Sequence, residues 1–291
     1  MKGRTPIRSY CVLFQSEYSS KDEFFSGIIV SVQQELFARD YSCSFGLIKN
    51  DYADFLKLNR MLRSRDVQGI LIVGEIPPRY ASVLQTNFLN LVFIDYPGDP
   101  EVANPYNAVC VDNVYGGHLA LNHLLGIGRK RILLICGKEG HYFSNDLLRA
   151  YRETLAEHQI EIDPRLVVYA DFHKEGFKAT EQVLKAGVQF DAIFSNDEMA
   201  CGAIKALKQA GRKVPEDVSV VGFDGLPVGE MVSPTLTTVA VDRQKMGRLA
   251  VKRLLHFERE TGEDEKFEKI SIFPRLIVRE SCGVRPEKAT E

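Results

Sequence analysis

Apolar residues along this chain alternate between two rhythms. Short, nearly continuous apolar runs predict buried strands, and stretches with apolar residues three and four apart predict helices that bury one face. By this reading Tyr10–Phe14, Cys43–Ile48, Gly69–Val73, Leu91–Asp95 and Ala108–Asp112 are strands. A helix from about Asp22 keeps Phe25, Ile28, Ile29, Val32 and Leu36 on one side, and others fall near Tyr52–Leu62 and 78–86. The helix after Asp112 ends at Gly126-Ile127-Gly128, where glycine suits a left-handed cap. Arg129-Lys130-Arg131 then complement the negative helix end more cheaply than they make a phosphate patch.

The second half repeats the scheme. Strands at Ile132–Cys136, Leu166–Tyr169 and Ala192–Phe194, and a run opening at Val218, alternate with helices at Asp146–His158, Lys174–Lys185 and Asp197–Gln209. After Val239 one more helix carries Met246, Leu249, Ala250, Leu254 and Leu255. A charged loop from Glu258 to Lys266 leads to strands near 268–272 and 276–279. Alternating strands and helices predict an α/β fold with parallel sheets covered on both faces. Two such series predict two similar domains rather than one barrel.

Composition narrows the function. A net charge of -2 gives no sign that the chain as a whole wraps nucleic acid or an anionic membrane. No apolar run approaches a membrane span, and the N-terminus lacks the pattern of a signal peptide. Cys11, Cys43, Cys110, Cys136, Cys201 and Cys282 show no CxxC spacing and read as reduced residues of a cytoplasmic protein, with no zinc site. His118 and His123, five apart on a helix, point to different faces and make a poor metal pair. There is no GxSxG, HExxH, GxGxxG after the first strand, or GxxxxGK[ST]. Gly137-Lys138-Glu139-Gly140 is a turn rather than a phosphate loop. The chain therefore reads as a binder, with no catalytic residues, cofactor or metal.

Polar groups collect where strands stop: Asp95, Asp112, Asn196, Asp197 and Asp224. Ligands bind at such edges of open parallel sheets, and a ring of acceptors suits hydroxyl-rich or amide ligands. Each also has a local reading. Asp112, Asn196 and Asp197 precede helices and suit N-caps, and Asp224 before Gly225 suits a turn. Phe24, Phe25, Tyr96, Tyr142 and Phe143 either stack on a ligand ring or belong to the core, Phe25 above all.

Several segments together resemble the lactose/galactose-repressor (LacI/GalR) family of bacterial transcription regulators. They are Gly69-Ile-Leu-Ile, Val111-Asp112-Asn113 with Gly116-Gly117, and His123 to Ile132. Phe194 to Ala203, Val214 to Asp224, Pro234 to Val239, Met246-Gly247 and Val278 to Ser281 complete the set. The resemblance implies a type I periplasmic-binding-protein-like core of two Rossmann-like subdomains joined by three crossover segments. The N-terminal subdomain would span 8–128 plus 242–272, and the C-terminal one 129–241 plus 273–284.

It further implies a small-molecule effector, sugar or nucleoside-like, bound in the inter-subdomain cleft and controlling operator binding allosterically. Carried over by position, the contacts would be Phe24, Phe25, Tyr96, Asp112, His141, Phe143, Asn145, Asp146, Asn196, Asp197 and Asp224. A homodimer is implied, with Cys201, Met231 and Val232 at its interface. Lys2-Gly3-Arg4-Thr5 reads as the end of a linker, so operator DNA would be met only through an N-terminal helix-turn-helix outside this chain. Two positions depart from the family pattern. Leu147 stands where many members carry an effector-clamping arginine, and Val241 where glutamine is common, which leaves Asn145 or Asp146 as substitutes. The alternative on the same fold is a solute-binding protein of a transport system.

Overall fold

The computed structural model describes residues 8–15, 23–65, 67–95, 105–171, 175–257 and 267–283. The chain divides into two compact units, Met1–Val111 with Asp242–Ile272 and Asp112–Val241 with Phe273–Glu291.

In the first unit, strands β1 (Ser9–Gln15), β2 (Ser42–Ile48), β3 (Gly69–Val73), β4 (Leu91–Ile94) and β5 (Asn107–Val111) alternate with helices α1 (Glu23–Phe37), α2 (Tyr52–Ser64) and α3 (Pro78–Asn87). In the second, β6 (Ile132–Cys136), β7 (Val167–Tyr169), β8 (Ala192–Phe194), β9 (Ser219–Asp224) and β10 (Thr237–Ala240) alternate with α4 (Asn113–Gly126), α5 (Tyr142–Glu157), α6 (Gly176–Lys185), α7 (Asp197–Gln209) and the short α8 (Val228–Met231). Helix α9 (Arg243–Phe257) and β11 (Lys269–Ile272) complete the first unit, and β12 (Arg275–Ile277) completes the second.

Each unit holds a six-stranded sheet, with strand orders β11-β5-β4-β3-β1-β2 and β12-β10-β9-β8-β6-β7. The two orders are the same pattern, differing in that β11 runs parallel to β5 while β12 runs antiparallel to β10. The strands β3 to β6 and β8 are buried along their whole length, as expected of parallel strands covered on both faces. In the first unit, Phe55 and Leu62 of α2 and Tyr80 and Leu84 of α3 pack on one sheet face with Cys11, Leu13, Ile70 and Phe93. In the second, α6 and α7 bring Val183, Ala203 and Leu207 onto Leu133, Ile135, Ile193 and Val220.

Glycine sets how closely helices approach. A Cβ on Gly176 of α6 would stand 2.1 Å from the Met199 carbonyl oxygen of α7, and one on Gly202 would stand 2.7 Å from the Phe177 nitrogen. On the other face, a Cβ on Gly117 of α4 would meet the Ala150 Cβ of α5 at 2.5 Å.

The structure amends the sequence reading at several points. Helix α4 packs on α5 in the second unit, so the first crossing falls at Val111/Asp112 rather than at 128/129. Helix α5 starts at Tyr142, before the expected Asp146, and β10 and α8 were not anticipated. The expected cap cations behave differently as well. Gly128 is left-handed (φ 89°), but the Arg129 guanidinium donates to the Pro215 and Glu216 carbonyls and to Ser219 Oγ, at 2.6, 3.2 and 3.0 Å. The backbone N–H groups of Lys130 and Arg131 donate to the Asp191 carboxylate. These residues therefore tie the start of β6 to the starts of β8 and β9.

Since the Gly176 contact is with backbone, which cannot rotate away, Gly176→Ala must push α6 off α7. We expect a loss of about 1–3 kcal/mol in unfolding free energy from overpacking, read by urea melts.

Candidate functional site

The sheet order reverses direction between β1 and β3, and again between β6 and β8. In open α/β sheets the crevice outside the carboxyl ends of strands at such a reversal is where ligands bind.

In the first unit, Phe24 and Phe25 open α1 and meet edge to face, with centroids 5.3 Å apart. Phe24 is buried in the core, whereas Phe25 is half-buried and lies over Gly74, just beyond β3. Gly74 has φ 78°, and a Cβ there would meet the Phe25 ring at 3.3 Å. Glycine is needed there both for its conformation and for the ring above it. Tyr96 lies outside the described residues.

In the second unit, several candidates share duties at helix starts. Asp112 caps α4 by accepting from the Tyr115 N–H at 2.9 Å, and Asn196 caps α7 by accepting from Met199 N–H at 2.9 Å. His141 caps α5, its Nδ1 accepting from the Phe143 N–H at 3.3 Å. Burial, and then nearby Lys138, lower the His141 pKa to about 4. The ring is therefore neutral at physiological pH, which an accepting Nδ1 requires.

Asn113, which the sequence reading passed over, donates from its buried amide to Asp146 Oδ2 at 3.1 Å and so joins α4 to α5. Its signal was present: a second polar residue follows Asp112, and Gly116-Gly117 come a turn later. Gly116 leaves room for Phe223 of β9, whose ring Phe143 meets edge to face at 5.1 Å. Asn145 is exposed and donates to the Gly140 carbonyl.

Asp197 and Asp224 differ sharply. Asp224 ends β9 partly exposed, with φ 109°, a conformation costly for any residue but glycine. Asp197 has no exposed surface, and its carboxylate accepts from the Leu226 N–H and the Thr238 hydroxyl, both at 2.6 Å. With both oxygens engaged inside the fold, it acts as a buried tie. Burial raises its pKa to about 7, against the lowering pull of Thr238, the Leu226 N–H and Arg279.

Of the expected interface residues, Met231 is 82% exposed, while Cys201 and Val232 pack against the unit's own core. None of the six cysteines forms a disulfide, and burial pushes the Cys136 and Cys201 thiols up to about 12, away from the thiolate form. Among the described residues no cluster of metal-ligating side chains occurs, and no helix is long and apolar enough to cross a membrane.

Comparison with known proteins agrees with the two-sheet fold. A model of the periplasmic binding protein-like domain matches residues 121–282. The HTH-type transcriptional repressor PurR of Haemophilus influenzae (strain PittEE) is 30% identical over 269 residues, covering 90% of this chain and 79% of the repressor. This chain belongs to the LacI family of transcription regulators.

The HTH-type transcriptional repressor MelR of Bacillus subtilis (strain 168) is 27% identical over 98% of this LacI-family chain and 81% of its own length. Among solved structures, the transcriptional regulator CelR in complex with cellobiose superposes with a TM-score of 0.83 at 28% identity, covering 95% of this chain and 86% of CelR. PurR and MelR are transcriptional repressors, not enzymes, and a transport role is not favoured. The LacI-family departures now have locations. Leu147 is fully buried and packs toward α4 near Gly117, and Val241 is buried with its N–H donating to the Asp224 carbonyl at 3.3 Å.

Asp197 gives a signed pH dependence. In the unfolded chain it ionises near 3.8, but in the fold it holds its proton to about 7, so the folded state binds more protons between those values. Stability from this group is complete below about pH 4 and is lost as pH rises through 7. Asp197→Asn has nearly the shape of the protonated acid and no titration. In urea melts at stepped pH, wild type should weaken relative to Asp197→Asn between pH 4 and 7 and hold constant above that.

Proposed function

We propose that this chain is the effector-sensing core of a cytoplasmic LacI-type repressor whose ligand is a small, sugar- or nucleoside-like molecule. The observation that carries the reading is Asp224, a partly exposed carboxylate held in a costly backbone conformation at the carboxyl edge of a parallel sheet. Phe143 would supply a face on which a sugar or base ring rests, and Phe25 is a second candidate face within the first unit. Asp112, His141 and Asn196 would supply polar groups whose orientations are fixed by capping, with Asn145 and Asp146 beside them. Tyr96 remains a candidate by position. With Leu147 buried, the guanidinium clamp of many relatives has no counterpart at that position, which favours a ligand without a strongly anionic group.

The protein would act as a homodimer, as the family resemblance implies, with the exposed Met231 beside Cys201 and Val232 in the contact. Ligand binding would shift the balance between two states of the dimer and thereby alter how helix-turn-helix heads engage operator DNA.

Thermal shift followed by isothermal titration tests the ligand, with cellobiose, other disaccharides, nucleosides and purine bases as the panel. A true effector at a hundredfold excess over its Kd should stabilise the fold by about 2.7 kcal/mol. Asp224→Ala should lower its affinity roughly ten- to hundredfold, the worth of a hydrogen bond to a charged group. A well-folded dimer that binds no member of the panel would sink the proposal. Met231→Glu places a charge at the proposed contact, and sedimentation velocity should then show at least tenfold weaker dimerisation.

A further inference from the structure

The environment of Asp197 holds more than a buried acid requires. Its two oxygens reach different parts of the unit, one to the Leu226 N–H beyond β9 and the other to the Thr238 hydroxyl on β10. Thr238 Oγ1 in turn accepts from the Gly225 N–H at 3.3 Å. Three groups thus bracket the turn immediately after Asp224. Space around them is fully used, because a Cβ on Gly222 would lie 2.0 Å from Asp197 Oδ1, and one on Gly225 would lie 2.7 Å from the Ala240 Cβ. Both Asp224 (φ 109°) and Gly225 (φ 69°) are left-handed, so the turn does not rest in a conformation the chain would choose unaided. Something must hold it there, and the carboxylate is placed to do so. The Asp224 carbonyl accepts from Val241 N–H, the last residue before the chain leaves this unit at Val241/Asp242.

We infer that Asp197 is a positioning residue: its carboxyl group clamps the Asp224–Leu226 turn to β10, fixing the effector-facing carboxylate relative to the strand that carries the chain out of the unit. The inference rests on reading Asp224 as an effector contact, but the clamp itself can be measured without any ligand. Asp197 touches nothing outside the fold, so it acts only through the turn. A proton on Asp197 keeps the clamp, because a carboxylic acid can donate to Thr238 Oγ1 and still accept from Leu226. An asparagine does the same with its amide, whereas an alanine does neither.

The experiment uses wild type, Asp197→Asn, Asp197→Ala and Thr238→Val, with two readouts. The first is amide hydrogen exchange in the absence of ligand. The Gly225 and Leu226 amides should be protected in wild type and Asp197→Asn. They should exchange at least tenfold faster in Asp197→Ala, while amides of β6 and β8 keep their wild-type rates. Thr238→Val, which removes only a hydroxyl, should release Gly225 and decides the matter should Asp197→Ala fail to fold. The second readout is affinity for cellobiose, or for whichever panel compound wild type binds. Asp197→Ala should bind at least tenfold more weakly, and Asp197→Asn within threefold of wild type.

Unchanged exchange at Gly225 and Leu226 in both Asp197→Ala and Thr238→Val would overturn the clamp. Loosened exchange with unchanged affinity in Asp197→Ala would overturn its positioning role. Should Asp224→Ala bind like wild type, the effector contact at Asp224 fails instead, a result separable from the exchange data.

Discussion

Parallel strands cannot be joined by a tight turn; the chain must cross the sheet, and a helix is the economical way to do it. Most of this molecule follows from that constraint. Every crossing leaves the sheet at one edge and returns at the other, so each residue just past a strand joins its counterparts from neighbouring strands. Apolar side chains are consumed by the two helical layers. Polar residues between a strand end and the next helix therefore stand where they can cap that helix. Asp112, His141 and Asn196 do so beyond β5, β6 and β8.

Capping and recognition are complementary here. A side chain whose oxygen or nitrogen is already committed to a backbone N–H has lost its rotational freedom, so a ligand meeting its remaining valence has little ordering left to do. Neutral His141 illustrates the point. Its Nδ1 must accept for the cap to exist, and burial keeps the competing proton away. The aromatic contacts behave alike, since Phe143 is set by Phe223, and Phe223 by the missing side chain of Gly116.

The strands and most helices were legible because each announces itself within a dozen residues by its apolar period. What could not be read were relations across long stretches of chain. The unit to which helix α4 belongs is one such relation, because nothing local distinguishes a helix that packs on α5 from one that packs on the sheet before it. Arg129 looked like a helix-end charge because Pro215 and Ser219, which hold it, lie some ninety residues away. Asp197 looked like its neighbour Asn196 because both follow β8. Only the fold reveals that one caps α7 while the other is sealed against Thr238. For Leu147 the type of residue was readable, but its burial against α4 was not.

Gly222 and Asp197 also constrain how this sequence can change over time. The space that a methyl group at Gly222 would need is filled by the Asp197 carboxylate, 2.0 Å away. Any side chain at Gly222 must therefore wait for position 197 to shrink. A shrunken position 197, in turn, leaves two donors without an acceptor until something else supplies one. Either change alone costs the fold a contact, and Leu236 Cδ2, 2.8 Å from the same space, adds a third residue that would have to move with them.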